Sequence, residues 1–140
     1  MRIIGFNFDK ISIEKLKEQE KNLKISTKVD MLDVKEIKES LFDSKDQILQ
    51  IKFSYTIRYE PGFAKVELNG KIHLALSKNE AESILKEWKK KTLPESLRLP
   101  LFNFIFKKSN LKALSLEEEV GLPLHIPLPK LTSKETPKEK

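Results

Sequence analysis

Cysteine is absent from the 140 residues. Its absence removes disulfides, thiolate nucleophiles and sulfur-ligated zinc together. The chain must therefore be held by its apolar core, and one domain of this length buries enough surface for that. Glycine occurs only as Gly5, Gly62, Gly70 and Gly121, too scattered for a phosphate-cradling loop. Histidine occurs twice. His73 falls at the strand parity opposite Ile72 and Leu74 and reads as an exposed sheet residue. His125, between Leu124 and Ile126, reads as a partner for a backbone group. Neither lies in H-E-x-x-H, and no Ser-His-acid set forms around them. Glu117, Glu118 and Glu119 are consecutive, so on a helix their carboxylates diverge and read as a solvated helix start, not a metal site. The expectation is no catalytic residue, no metal and no cofactor, hence no enzyme. No apolar run approaches the ~20 residues of a membrane span, and the start, Met1 to Asp9, lacks a secretory pattern. The reading is a soluble, cytoplasmic protein.

What is present is first of all alternation. Leu23, Ile25, Thr27, Val29 and Met31 share one parity, as do Leu49, Ile51, Phe53, Tyr55, Ile57 and Tyr59. The pattern restarts at Ala64, Val66 and Leu68 and continues through Ile72, Leu74 and Leu76. A period of two predicts strands with one face on a core and one in water. Pro61-Gly62 predicts a hairpin connection over Tyr59 to Phe63. Ile3 to Ile13 is a further strand, with a bend or bulge at Gly5 or Asp9-Lys10. Four sequential antiparallel strands are the simplest sheet. Residues 33–47 read as a charged connection with a helical turn around Asp33 to Leu41.

At Ser77 the period changes. Ser77-Lys78-Asn79-Glu80 is a capping box, and Ala81, Ile84, Leu85 and Trp88 follow at helical spacing. Lys89-Lys90-Lys91 closes that helix where positive charge suits the dipole. Pro94 starts a longer helix, and Pro100 is expected to kink or restart it. Leu101, Phe104, Ile105 and Leu111 form one face, while Phe102 and Phe106 face elsewhere, so this helix should be buried on more than one side, at a subunit interface or a binding groove. Ser115-Leu116-Glu117-Glu118 reads as a second capping box, opening a short turn that ends at Gly121.

Gly121 to Leu131 reads G-L-P-L-H-I-P-L-P-K-L. Three prolines exclude a helix and a central strand, yet the leucines and Ile126 carry the apolar load of a buried element. Such a segment serves as an extended arm across an apolar surface. Residues 132–140 are too polar to fold, which leaves 1–131 as a single domain. The net charge is +6 with 34% charged residues. Lys89, Lys90, Lys91, Arg98, Lys107 and Lys108 are candidate nucleic-acid contacts, although Glu80, Glu82, Glu87 and Glu95 are interleaved with the basic cluster. The fold class is α+β: a four-stranded antiparallel sheet, two main helices and a proline-rich apolar arm.

This order of elements resembles the SecB family of export chaperones. Leu97-Arg98-Leu99-Pro100-Leu101-Phe102 is similar to the proline-containing start of that family's main helix. Gly121-Leu122-Pro123-Leu124-His125-Ile126-Pro127-Leu128 is similar to its glycine-proline-leucine segment. The resemblance implies a homo-oligomer, a tetramer built as a dimer of dimers, that binds unfolded polypeptide in apolar grooves. The corresponding positions are Leu101, Phe102, Phe106, Leu122, Leu124 and Ile126. The family is usually acidic and docks a motor partner through acidic surface, whereas this chain is basic. Tyr59 to Ala64 and the Gly121 to Pro129 segment are also similar to a small archaeal family, which brings no activity with it. The function expected is a SecB-like holdase; the alternatives are a basic RNA- or ribosome-associated adaptor and a structural subunit of a complex.

Overall fold

A computed structural model describes residues 2–18, 21–38 and 46–129. The expected polar tail, 132–140, lies outside the described residues. Strands β1 (Arg2–Lys15), β2 (Lys24–Ile37), β3 (Gln47–Glu60) and β4 (Ala64–Leu76) precede helices α1 (Lys78–Trp88) and α2 (Glu95–Glu119). Odd residues of β3 from Leu49 to Tyr59 and even residues of β4 from Ala64 to Leu76 are buried, while the alternate positions, apart from the buried Gln50 and Ala75, are polar and at least partly open. The sheet therefore has one core face, covered by the helices and the arm, and one wet face.

The strands are all antiparallel but not in sequential order. The order is β1-β4-β3-β2, so β1 pairs with β4 and lies at the opposite edge from β2. The link between β1 and β2 is not a hairpin. Its first residues are tied to the β3–β4 turn, where the N–H groups of Leu16 and Lys17 donate to the Phe63 carbonyl. At that turn the Phe63 N–H returns to the Tyr59 carbonyl, and Gly62 holds a positive φ of 55°, the backbone state glycine adopts at no steric cost. Residues 33–37 continue β2 rather than turning into a helix; residues 39–45 are outside the described set.

Register shifts fall between Ile3 and Gly5, between Phe8 and Lys10, and between Met31 and Asp33. Each extra residue flips parity, which keeps Ile3, then Phe6 and Phe8, then Ile11 and Ile13 paired with the core-facing residues of β4. Gly70 sits within this part of the sheet, in β4 between Phe8 of β1 and Phe53 of β3. A Cβ there would meet the Asn7 carbonyl oxygen at 2.4 Å and the Phe53 ring at 2.9 Å. Without one, Phe53 stacks on Phe6 at 5.6 Å, and Phe6 meets Phe104 of α2 edge-on at 5.5 Å.

Helix α1 starts with the predicted capping box, both of its hydrogen bonds present. Helix α2 runs unbroken through Pro100 and through Ser115, so neither the expected restart nor the second capping box occurs. Its buried stripe advances four residues at a time: Leu97, Leu101, Ile105, Ser109, Ala113 and Glu117. Anchors on both sides of Pro100 hold the helix to the sheet. Ser96, whose carbonyl loses its partner to the proline, is exposed and can be satisfied by water. Leu111 lies off the stripe and is 63% exposed, contrary to the face assigned from its spacing. His73 is half-buried and reaches Gln50 at 3.2 Å, so it is not the free surface residue that its parity implied.

Candidate functional site: a pinned arm and an open groove

Helix α2 ends in a Schellman motif. The Leu122 N–H donates to the Glu117 carbonyl at 2.8 Å and the Gly121 N–H to Glu118 at 3.2 Å, with Gly121 at φ 72°. This is the glycine-dependent reversal by which helices commonly stop. It turns the arm back over the core, and Leu122 is buried at once.

Beneath the arm lies a polar cluster that the alternation of β3 hides among core residues. Tyr55 and Tyr59 are fully buried. The Tyr59 hydroxyl donates to the Pro123 carbonyl, and the Tyr55 hydroxyl donates to Asn110 Oδ1. His125 Nδ1 lies 2.8 and 3.0 Å from the two Glu117 carboxylate oxygens, so Nδ1 carries a proton and donates. The His125 backbone N–H donates to the same carboxylate at 3.0 Å. On the other side of the ring, Nε2 meets the Tyr55 hydroxyl at 3.0 Å and Asn110 Oδ1 at 3.1 Å. The side chains of His125 and Glu117 are 2% and 0% exposed. Burial first, and the Glu117 carboxylate second, push both tyrosine hydroxyls well above the ordinary phenol range, so both remain donors at neutral pH.

A histidine paired with a carboxylate is also the core of a general-base arrangement. Here both ring nitrogens are occupied and the ring is enclosed, so no position is left for a substrate. The cluster pins the arm. Among the described residues there is no group of three or more His, Asp or Glu side chains able to hold a metal, and no helix is long and apolar enough to cross a membrane.

The other end of α2 is different. A cleft of about 290 Å³ opens between the β2 edge and the helix pair, with Val29 and Met31 of β2, Trp88, Leu93 and Phe102 among its walls. Among the described residues β2 pairs only with β3, so its outer edge has no strand partner there. Lys91 and Arg98 stand at the rim, and the Lys91 ammonium sits 5.0 Å over the Trp88 ring. A larger cleft of about 470 Å³, walled in part by Leu76, Ile84, Pro94 and Leu97, abuts the end of interior strand β4 and offers no free strand edge.

The sequence-predicted polypeptide contacts fall into three places. Leu101 and Leu122 are in the core, 0% and 5% exposed, where they support the surface from below. Phe102 lines the groove, and Phe106 meets Tyr55 edge-on at 6.4 Å. Leu124 and Ile126 are half-buried in the arm. Phe102, Phe106 and Asn110 follow at i, i+4 spacing, one stripe of α2 leading from the groove to the pinned arm. Of the basic residues, Lys89, Lys90, Lys91, Arg98, Lys107 and Lys108 are all exposed, but only Lys91 and Arg98 border the groove, and Lys108 lies over Phe104 at 5.7 Å. The groove residues Val29, Met31 and Trp88, and the pin residues Tyr55, Asn110 and Glu117, were not singled out from sequence as site residues.

No protein-family model matches this chain, and no curated protein does. Among solved structures, the chain is similar to a SecB-like chaperone of Mycobacterium tuberculosis, Rv1957, in complex with a ChAD peptide from the Rv1956 HigA1 antitoxin. The match has a TM-score of 0.56 at 10% identity and covers 96% of this chain and 92% of that one. The fold is SecB-like. At that identity the likeness establishes the arrangement of sheet and helices, which agrees with the α+β class and with the resemblance drawn from the order of elements.

Proposed function

We propose that this protein is a non-catalytic holdase that binds exposed apolar segments of unfolded polypeptide. The observation that carries the reading is the groove: a cleft in which Val29, Met31, Trp88, Leu93 and Phe102 stand beside polar and charged groups, at an edge strand, in a fold shared with a peptide-bound chaperone. An extended client can pair its backbone with β2 and place alternate side chains on Met31, Trp88 and Phe102. Main-chain pairing is indifferent to sequence, and each leucine-sized side chain buried contributes about 1.5–3 kcal/mol. A few such contacts suffice for micromolar holding without specificity. Phe106, Leu124 and Ile126 extend the apolar surface toward the arm, with Leu101 and Leu122 beneath it.

A homo-oligomer is part of the proposal. The outer edge of β1 also has no strand partner among the described residues, and Ile4, Ile11 and Leu16 are 40%, 48% and 58% exposed on or just beyond it. Joining two β1 edges would cover them and leave both β2 grooves open.

The test is suppression of aggregation of two unrelated chemically unfolded proteins, with light scattering to follow the mass of the complex. The protein should hold both clients with little loss at high salt, and Met31→Ser with Phe102→Ser should abolish holding while the far-UV spectrum stays native. Aggregation at the same rate with and without the protein would sink the reading.

A further inference from the structure

The groove's rim carries a charge preference that the apolar walls do not explain. Lys91 and Arg98 flank the cleft. Lys91 is held there by local structure. The turn after α1 bonds the Lys90 N–H to Glu87 and the Lys91 N–H to Trp88, with Lys91 at φ 61°. Its side chain then lies on Trp88 at 5.0 Å, which keeps the ammonium at the mouth. Arg98 is in the first turn of α2, its N–H bonded to the Pro94 carbonyl at 2.9 Å. Among the described residues neither cation forms an ion pair. The acid that lines the groove, Asp30, is engaged by Lys28 at 3.7 Å. Among the described residues the mouth thus presents two cations without anionic partners beside the Met31, Trp88 and Phe102 side chains.

We infer that the groove selects extended segments in which an apolar anchor is flanked by an acidic residue. The carboxylate meets Arg98 or Lys91 as the anchor enters between Met31, Trp88 and Phe102. The free edge fixes the length of such a segment. β2 is regular from Lys24 to Met31, and the bulge that follows, at the register shift to Asp33, ends the ladder a ligand can join. An occupant spans at most about eight residues of edge, roughly 26 Å of strand. A segment flanked by lysines would face like charge at the mouth and lose affinity. The inference rests on the holdase reading, and the two can fail separately.

Trp88 is the chain's single tryptophan and reports the groove directly. Three capped peptides of about ten residues would share one Leu-Phe-Ile block, flanked by aspartate, serine or lysine, and would be titrated while Trp88 fluorescence is followed. The aspartate-flanked peptide should bind about three- to tenfold more tightly than the lysine-flanked one in low salt, the range two exposed charge contacts supply. The ratio should fall toward one at 1 M salt. Arg98→Glu, a change at an exposed position, should erase or invert that ratio when each affinity is read relative to the serine-flanked peptide in the same variant. Equal binding of all three peptides would overturn the charge preference and leave the holdase reading standing. A Trp88 signal unmoved by any of them, in a preparation that also fails to hold clients, would overturn both. Displacement of the aspartate peptide by an RNA oligonucleotide through the same two cations would overturn it in favour of a nucleic-acid surface.

Discussion

The two ends of α2 solve opposite problems with the same materials. At its C-terminal end an apolar arm is closed over the core and held there by buried polar groups: Glu117, His125, Asn110, Tyr55 and Tyr59. At its N-terminal end apolar groups are left open beside a strand edge with no strand partner among the described residues, with Lys91 and Arg98 at the rim. Buried polar groups are costly unless each finds a partner, and then they allow one arrangement. Apolar groups left open are indifferent to the detail of what covers them. Stability should therefore concentrate at the arm and binding at the groove.

Two substitutions measured side by side test that division most sharply. Glu117→Ala removes the acceptor shared by the His125 ring and backbone and leaves the ring's proton buried without a partner. The loss should be about 3–5 kcal/mol, as when one member of a buried pair is deleted, a large part of the whole stability of a domain this size. Phe102→Ser removes a half-buried ring at the groove and should cost under about 2 kcal/mol while weakening client binding. Urea unfolding followed by far-UV circular dichroism gives both numbers. Equal losses would break the comparison, because the groove would then be core and not site.

A second substitution sharpens the groove side. Phe53 is the cross-strand neighbour of Met31 and lies directly over Gly70. A methyl group at position 70 would clash with both that ring and the Asn7 backbone. Gly70→Ala should cost about 1–3 kcal/mol by overpacking. It should also weaken client binding, because the Phe53 shift reaches Met31 on the groove wall. Unchanged affinity at reduced stability would show that the aromatic stack and the groove are independent.

Parts of this arrangement are legible in the residues and parts are not. The core faces of β3 and β4, the Pro61-Gly62 hairpin, the Ser77 capping box and the turn at Gly121 all follow from local periodicity and turn chemistry. Even the β1 bulges are written as parity flips, from Ile3 to Phe6 and from Phe8 to Ile11. The strand order is not local. The only hint was the link Leu16 to Leu23, Leu-Lys-Glu-Gln-Glu-Lys-Asn-Leu, which lacks the glycine or proline that a tight hairpin needs. Without the order, β2 cannot be known as an edge, so Val29 and Met31 read as ordinary core. The arm pin was hidden for another reason. Glu117 stands between Leu116 and Glu118, and its burial follows only from the four-residue steps that begin at Leu97. Helical spacing assigns Glu117 to the buried stripe once α2 is allowed to pass Ser115, which the apparent capping box argued against.

The smallest expected effect concerns the protonation state of the pin. The Tyr55 and Tyr59 hydroxyls have raised pKa values in the fold. A group whose pKa is raised on folding contributes stability that is full below its unfolded value, about 10 for tyrosine, and is lost as pH climbs from there toward the folded value. The protein should hold a constant stability from neutrality to about pH 10 on this account and weaken above it. Tyr59→Phe deletes one hydrogen bond to the Pro123 carbonyl and should cost about 1 kcal/mol at pH 7. The variant has one less phenol to ionise, so its stability should fall less steeply above pH 10, and the gap to the parent should narrow. Unfolding curves at pH 7, 9 and 10.5, with tyrosinate absorbance followed in parallel, measure this. A gap that stayed constant across the range would mean that the Tyr59 hydroxyl is solvated and that the arm is held by Glu117 and His125 without it.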